Sequence, residues 1–325
     1  MRTIDFLEQG DGAITLIDQR LLPHEKKILT IKTHQELIEA IQTLAVRGAP
    51  ALGVAGALGV ALIALRSQQQ GWSQEEIDSA IAALRAARPT AVNLAWGVDQ
   101  VIPELVNGPS SVLKSALAIS RADGLANRAM GKLGAAYLLE KCGKKKLRIL
   151  THCNTGSLAT SDWGTALGVI RELSDQGYIE EVFADETRPL LQGSRLTAWE
   201  LSEAGIKYRI LPDGAAASAL FSGLIDAVLI GADRIARNGD SANKIGSLGV
   251  AVAAKESGVP FLVVAPESTI DRSLASGDEI EIEFRADSEV THFAGIAVAP
   301  LGSKSYNPAF DVTLARYITA IVTEK

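Results

Sequence analysis

Residues 147–173 read LRIL (147–150), THCNTGSLATSDWG (151–164) and TALGVIREL (165–173), and this stretch decides the fold. Leu147, Ile149 and Leu150 form a short apolar run that suits a buried strand. Ala166, Leu167, Val169, Ile170 and Leu173 recur at helical spacing, which suits a helix packed on a sheet. Between them lies a polar loop with His152, Cys153, Asn154, Thr155, Gly156 and Ser157. Strand, polar loop and helix make the first unit of an α/β sheet. Such sheets gather ligands at the carboxyl ends of their strands, and Cys153 stands at that edge.

Downstream, apolar strand candidates recur at 180–184, 207–211, 226–231 and 260–265, with helical stretches between most of them. That alternation predicts repeated βαβ units and a parallel sheet. Each strand is followed by polar residues: Cys153 after the first, Asp185 to Pro189 with Gln192 beyond after the second, and Asp213-Gly214 after the third. Gly231-Ala232-Asp233-Arg234 follows the fourth and Pro266-Glu267-Ser268 the fifth. Polar groups from successive strand ends along one sheet edge are the arrangement of a binding site.

Upstream, short strands are expected at 13–17 and 27–31, with a turn at Leu22-Pro23. Thr33 with Glu36 three positions on is a capping box. Pro50 suits the first turn of the next helix, which is apolar nearly all round. Gly53, Gly56 and Gly59 recur every third residue there, so another backbone can approach closely. The apolar run 54–65 is too brief for a membrane span and reads as a buried helix. The start of that helix offers free N–H groups to a phosphate, with Arg47 beside it. A surface arginine at a plain helix start is the competing reading. Ser73 with Glu76 opens a second capped helix that Arg88-Pro89 ends. Asn93, Trp96 and Asp99 lie on another helical stretch. One or two more helices span 111–140, with Asp123 and Asn127 on one polar face. The fold is therefore read as α/β: a small, mostly helical domain with a few short strands over 1–130, then a Rossmann-like parallel-sheet domain over 131–325.

The chain has 325 residues, enough for two domains and a large core. Its net charge of −6 argues against nucleic acid as a partner. The lysines at 144–146 read as a solvated turn. Cys142 and Cys153 flank the first strand at opposite ends, beyond disulfide reach, so both are expected as reduced thiols in a cytoplasmic protein. The N-terminus lacks an apolar signal core, and no membrane association is expected. No G-x-G-x-x-G follows the first strand, and neither a G-x-x-x-x-G-K-[ST] nor a G-x-S-x-G motif occurs. The four histidines, at 24, 34, 152 and 292, are too scattered to suggest a metal cluster.

Six motifs now stand in order along the chain: AVRGAPALG (45–53), RPTAVNLAWGVD (88–99), LTHCNTGSLAT with GTALGVI (150–170), ADETRPLLQGSRLTAWEL (184–201), GADRIARNGDSANKIG (231–246) and PFLVVAPESTID (260–271). Together they resemble the methylthioribose-1-phosphate isomerase family, which shares its fold with ribose-1,5-bisphosphate isomerases and with regulatory subunits of a translation-initiation exchange factor. The resemblance implies conversion of 5-methylthioribose 1-phosphate to 5-methylthioribulose 1-phosphate in methionine salvage, by a homodimer with no metal or nucleotide cofactor. It assigns Cys153 and Asp233 to catalysis. It assigns Arg47, Gly48, Ala49, Arg88, Gln192, Asn243 and Lys244 to binding of the sugar 1-phosphate. The chain departs from the family pattern at Asp213-Gly214-Ala215-Ala216 and at Trp163, where that family carries Asp-Asn-Met-Ala and a tyrosine-like residue. His152 is expected to be structural, and Glu186 with Arg188 to form an ion pair holding their loop. Two other functions stay open: another aldose 1-phosphate isomerase, acting on 5-deoxyribose 1-phosphate or ribose 1,5-bisphosphate, and a non-catalytic sugar-phosphate or nucleotide sensor.

Overall fold

The computed structural model describes residues 2–143 and 145–325. Two compact units make up the chain. One runs to Ala129 and takes in Thr155–Gly168; the other holds Met130–Asn154 and Val169–Lys325.

The first unit starts with a three-stranded antiparallel sheet, β1 (Ile4–Leu7), β2 (Ala13–Ile17) and β3 (Ile28–Ile31). The first of these strands was not foreseen. Four helices follow: α1 (His34–Gln42), α2 (Ala49–Gln70), α3 (Gln74–Arg85) and α4 (Val92–Val101). Both expected capping boxes are present, Thr33 with Glu36 and Ser73 with Glu76. A single long helix, α5 (Pro109–Cys142), replaces the one or two expected, and its first part belongs to this unit.

At 22 residues α2 is long and apolar enough to cross a membrane by length and composition, yet 83% of its most apolar window is buried inside the protein. The glycine spacing explains its packing. A Cβ at Gly56 would meet the Leu94 carbonyl oxygen at 2.6 Å, and one at Gly97 would meet the Gly53 carbonyl oxygen at 1.9 Å. The backbones of α2 and α4 therefore touch, with no side chain between them. Arg66, near the end of α2, is buried and donates to the carbonyl oxygens of Lys32 (2.8 Å), Asp11 (2.6 Å) and Gly12 (2.7 Å). Those bonds offset the cost of burying its charge.

The stretch 155–168 joins this unit because its backbone is held there. Gln19 donates to the Leu158 carbonyl at 2.7 Å, and Asp123 accepts from the Ser161 N–H (2.8 Å) and hydroxyl (2.6 Å). Asp123 and Asn127 were expected on a polar face. Instead Asn127 is fully buried and donates to both Asp123 and the Asp162 carbonyl. Burial raises the Asp123 carboxyl above its ordinary value.

The second unit is built on a parallel sheet. Its elements in order are β4 (Leu147–Thr151), α6 (Ala166–Asp175), β5 (Ile179–Asp185), α7 (Ala198–Glu203), β6 (Tyr208–Leu211), α8 (Ala216–Phe221) and β7 (Ala227–Ile230). Then come β8 (Arg234–Ala236), β9 (Ser241–Lys244), α9 (Ser247–Glu256), β10 (Phe261–Val264) and β11 (Ile270–Asp271). A short helix α10 (Ser288–Thr291), a hairpin of β12 (His292–Phe293) and β13 (Ile296–Ala297), and strands β14 (Phe310–Thr313) and β15 (Ala320–Val322) close the chain. The six-stranded sheet has the order β15-β10-β7-β4-β5-β6, with every neighbouring pair parallel. Read from the other edge this is the doubly wound order 3-2-1-4-5-6. All five expected strands lie in it, and the α/β reading with a Rossmann-like second half holds. The sixth strand, β15, and a small sheet of order β11-β8-β9-β14 were not foreseen. Their strands are two to four residues long, too short for a periodic signal.

Of the lysines at 144–146, Lys144 lies outside the described residues. Lys145 does more than face solvent: it pairs with Asp226 at 2.8 Å, and Arg148 pairs with the same carboxylate at 3.0 Å. Burial works against that charge, but Arg148 and Lys145 overcome it and hold Asp226 at about 2. Both cysteines are free thiols.

Gly97→Ala should cost about 1–3 kcal/mol, because overpacking at a backbone contact forces α2 and α4 apart. Urea denaturation of the variant measures this. Asp226→Asn should lower the melting temperature at neutral pH. A carboxyl whose value is depressed on folding stabilises above its ordinary value of 3.8 and loses that contribution as pH falls toward about 2. The gap between wild type and variant should therefore narrow over that window in melting curves; a gap independent of pH would assign the stabilisation elsewhere.

Candidate active site

In the second unit the chain order reverses at β4. From β4 it builds outward through β5 and β6, then returns to add β7, β10 and β15 on the other side. The crevice outside the carboxyl ends at such a switch point is where open α/β sheets bind ligands. β4 ends at Thr151 and delivers His152, Cys153 and Asn154 there. Cys153 is 5% exposed and adopts φ +63°, the left-handed region. Its N–H donates to Thr187 Oγ1 at 2.8 Å, and its carbonyl accepts from Thr197 Oγ1 at 2.6 Å.

His152 is fully committed. Nε2 lies 2.8 Å from the Ile245 carbonyl oxygen and Nδ1 lies 2.9 Å from Asp185 Oδ2, both side chains being buried. A ring nitrogen facing a carbonyl oxygen must carry a proton, so Nδ1 and Asp185 share the next one. Burial opposes a charged imidazole, yet the hydrogen bond and charge of Asp185 raise His152 above its ordinary value. The ring packs on Gly246, where a Cβ would come within 2.8 Å of Cε1 and where φ is +106°. This matches the structural role expected of His152.

Asp213, after β6, accepts the N–H groups of Thr187 (2.7 Å) and Arg188 (2.6 Å). His152, Asp185 and Asp213 bring ligand atoms within 4.8 Å of one another. His152 Nδ1, Asp185 Oδ2 and both Asp213 oxygens are already engaged in the hydrogen bonds just described, whereas Asp185 Oδ1 is buried with no hydrogen-bond partner among the described residues. Arg188 does not pair with Glu186 as expected. It donates to the carbonyls of Pro189, Glu289 and Val290 and lies over the Phe293 ring. A loop that turns its backbone carbonyls toward a guanidinium satisfies it without a carboxylate.

Gln192 is buried and its Oε1 has no hydrogen-bond partner among the described residues, an acceptor suited to a ligand hydroxyl. It precedes a π-helical turn, Gly193–Thr197. A Cβ at Gly193 would lie 1.6 Å from the Asp185 carbonyl oxygen, so only glycine lets this turn reach the end of β5. Asp233 follows β7 and is half-buried; its N–H donates to the Ala242 carbonyl at 2.9 Å, which sets it beside β9. Its neighbour Arg234 pairs with Asp271 at 3.8 Å. At the end of β9, Asn243 donates to Ser247 Oγ at 2.8 Å. Lys244 is buried, donates to the Ala309 carbonyl at 2.8 Å and lies 4.5 Å from the Phe310 ring centre. Cys153, Gln192, Asp233, Asn243 and Lys244 thus all belong to the second unit.

Arg47, Gly48, Ala49 and Arg88 belong to the first. Gly48 caps α2 with φ +98°, and a Cβ there would sit 2.4 Å from the Ala159 carbonyl oxygen. Ala49 and Pro50 open the helix, whose first N–H groups and positive dipole end suit an anion. Arg47 is half-buried just before it, and Arg88 is half-buried in the turn after α3. In the same unit Trp163 has φ +69°, with the Arg128 guanidinium 4.3 Å above its ring.

Thr187 and Thr197 escaped the sequence reading. Both lie inside the motif at 184–201, but nothing in it sets them apart, because their role depends on a left-handed turn at Cys153 that no glycine announces.

A family model described as Initiation factor 2 subunit family matches residues 45–325. A protein of Nocardia farcinica named probable bifunctional methylthioribose-1-phosphate isomerase/methylthioribulose-1-phosphate dehydratase is 53% identical over 100% of this chain, which spans 59% of that protein. The methylthioribose-1-phosphate isomerase of Acetivibrio thermocellus is 46% identical, covering 98% of this chain and 95% of its own length. The 5-deoxyribose 1-phosphate isomerase of Moorella thermoacetica is 47% identical, covering 97% and 91%. Among solved structures, 5-methylthioribose 1-phosphate isomerase from Pyrococcus horikoshii OT3 has a TM-score of 0.90 at 40% identity, covering 99% of this chain and 91% of that one. The translation initiation factor eIF-2B, subunit delta, from A. fulgidus has a TM-score of 0.86 at 39% identity, covering 100% and 94%.

Gly48→Ala should destabilise the first unit by about 1–2 kcal/mol from the left-handed backbone alone, and further through the Ala159 contact. Denaturant midpoints measure it; an unshifted midpoint would mean that the loop at Ala159 yields freely.

Proposed function

This chain belongs to the Initiation factor 2 subunit family, and from that premise we propose that it is an aldose–ketose isomerase converting 5-methylthioribose 1-phosphate to 5-methylthioribulose 1-phosphate. The observation that carries the reading is near-full-length identity of 46% to an enzyme named for this isomerisation, with a solved enzyme of the same name at TM-score 0.90. We place this reaction in methionine salvage and read the chain as a cytoplasmic homodimer; sedimentation of the purified chain measures the dimer.

The chemistry follows from the substrate. Its C1 oxygen is esterified to phosphate, so ring opening cannot release a free aldehyde. An acid must protonate the ring oxygen while C1 gains cationic character, hydrogen moves from C2 to C1, and the C2 hydroxyl gives up its proton. We assign the acid to Asp233, half-buried after β7. We assign Cys153, held at the switch-point strand, to the reacting carbons as a polarisable group. Phosphate and sugar binding are assigned to Arg47, Gly48, Ala49, Arg88, Gln192, Asn243 and Lys244. Arg47, Arg88 and Lys244 supply positive charge, and Gln192 supplies a buried acceptor for a hydroxyl.

A second reading is supported by the Moorella relative: the substrate is 5-deoxyribose 1-phosphate. Turnover of methylthioribose, 5-deoxyribose and ribose 1-phosphates, read as ketose formation, separates the two. No ketose from any of them would favour a non-catalytic role, for which the similar chain named as a translation initiation factor subunit is the precedent.

Cys153→Ala should abolish most turnover while circular dichroism stays native. Asp233→Asn keeps the shape but cannot supply a proton, so kcat should fall by about 100-fold or more with KM little changed. A rise in KM alone would make Asp233 a binding residue.

A further inference from the structure

Cys153 holds a backbone conformation that L side chains rarely adopt, and neither flanking residue is a glycine. Two threonine hydroxyls stand against its two peptide groups. Thr187 Oγ1 accepts the Cys153 N–H at 2.8 Å and donates to the Asp185 carbonyl at 3.0 Å. Thr197 Oγ1 donates to the Cys153 carbonyl at 2.6 Å and accepts from Asn154 Nδ2 at 3.2 Å. Both threonines are fully buried. We propose that Thr187 and Thr197 are positioning residues of the isomerisation, which lock the Cys153 backbone in its left-handed turn and so fix the place of the thiol. The proposal rests on the reading of Cys153 as a catalytic group.

Each hydroxyl is used in a way that only a hydroxyl allows, accepting one hydrogen bond and donating another. The two chains of bonds run from Cys153 N–H through Thr187 to the end of β5, and from Asn154 through Thr197 to the Cys153 carbonyl. The anchors are themselves built in. Thr187 has φ +63°, unusual for a β-branched residue, and the Asp213 carboxylate holds its N–H and the next one. Thr197 closes the π-helical turn that Gly193 seats against the Asp185 carbonyl. π-turns inside helices concentrate at functional sites. Asn154 is fixed in turn by Glu200 at 2.9 Å, and Glu200 by Arg171 at 2.9 Å. A turn held from both sides cannot relax when substrate arrives, which is the geometric condition for a preorganised group.

The test compares Thr187→Val and Thr197→Val, which keep the branch and remove the hydroxyl, with Thr187→Ser and Thr197→Ser, which keep the hydroxyl. Each valine variant should lower kcat by about ten-fold or more, the scale of stranding one buried polar group, with KM within about two-fold of wild type. The rate at which iodoacetamide alkylates Cys153, read by mass spectrometry with Cys142 as internal reference, should change in the valine variants without substrate present. The serine variants should restore both readouts. Folded valine variants with wild-type kcat and a wild-type Cys153 alkylation rate would overturn the proposal, as would serine variants as impaired as the valines. Where a valine variant fails to fold by circular dichroism, the serine variant decides: wild-type values support the proposal and a loss of about ten-fold overturns it. Cys153→Ala, run alongside, keeps the two readings apart. Full turnover there would remove the catalytic role of Cys153 itself, whereas an inactive Cys153→Ala with unaffected valine variants would remove only the role of the threonines.

Discussion

β4 is hydrogen-bonded along both edges, to β5 on one side and β7 on the other. That constraint governs the second unit. Unlike the other interior strands, β4 has the next strand of the sequence, β5, on one side and the returning strand, β7, on the other, and right-handed crossovers in the two directions put the intervening helices on opposite faces. The loops leaving β4 and β7 then part, and the segment after β4 emerges where no crossover covers it. His152, Cys153 and Asn154 occupy that segment. Because the strands are parallel, the ends of β5, β6, β7 and β10 open on the same edge.

A sheet edge buried this deeply poses an electrostatic problem, and the way it is solved gives the site its rigidity. Unpaired buried charge is costly, so each group needs a partner. Asp185 takes His152, Asp213 takes two backbone N–H groups, and Glu200 takes Arg171 and Asn154. These bonds serve local structure. They also leave Gln192 Oε1 as a buried acceptor without a partner among the described residues. A scaffold that satisfies its own buried groups and spares a few is suited to hold a polar ligand in one pose.

The first unit meets a different constraint. α2 has no polar face to offer water, so it must be covered, and close backbone packing against α4 covers it. The glycines that permit this contact remove the side chains that would keep the helices apart. The same helix begins at Gly48, where a positive φ and the neighbouring Ala159 backbone exclude any other residue. Core packing and the geometry of a candidate anion site thus meet at opposite needs of one helix: burial along its length and open N–H groups at its start.

The sequence by itself determined the elements whose causes are local or periodic. The strand at 147–150, the helix after it and the two capping boxes follow from apolar spacing and from side chains that reach three residues along the chain. The repeat of strand, polar end and helix determined the parallel sheet, and the order of six motifs led to Cys153, Asp233 and the binding residues as candidates. What only the tertiary structure decided depends on contacts between distant segments. Strands of two to four residues, β8, β9, β11 and β15, exist because a neighbouring strand pairs with them, and such short runs carry no period of their own. Asp123 and Asn127 looked like a polar helix face, because spacing cannot reveal that Ser161 and Asp162 cover them. Arg188 looked like a partner for Glu186, because two of the three carbonyls it binds, those of Glu289 and Val290, lie about 100 residues away. The left-handed turn at Cys153 is the clearest case: Thr187 and Thr197, 34 and 44 residues away, enforce it, and no residue at the turn itself announces it.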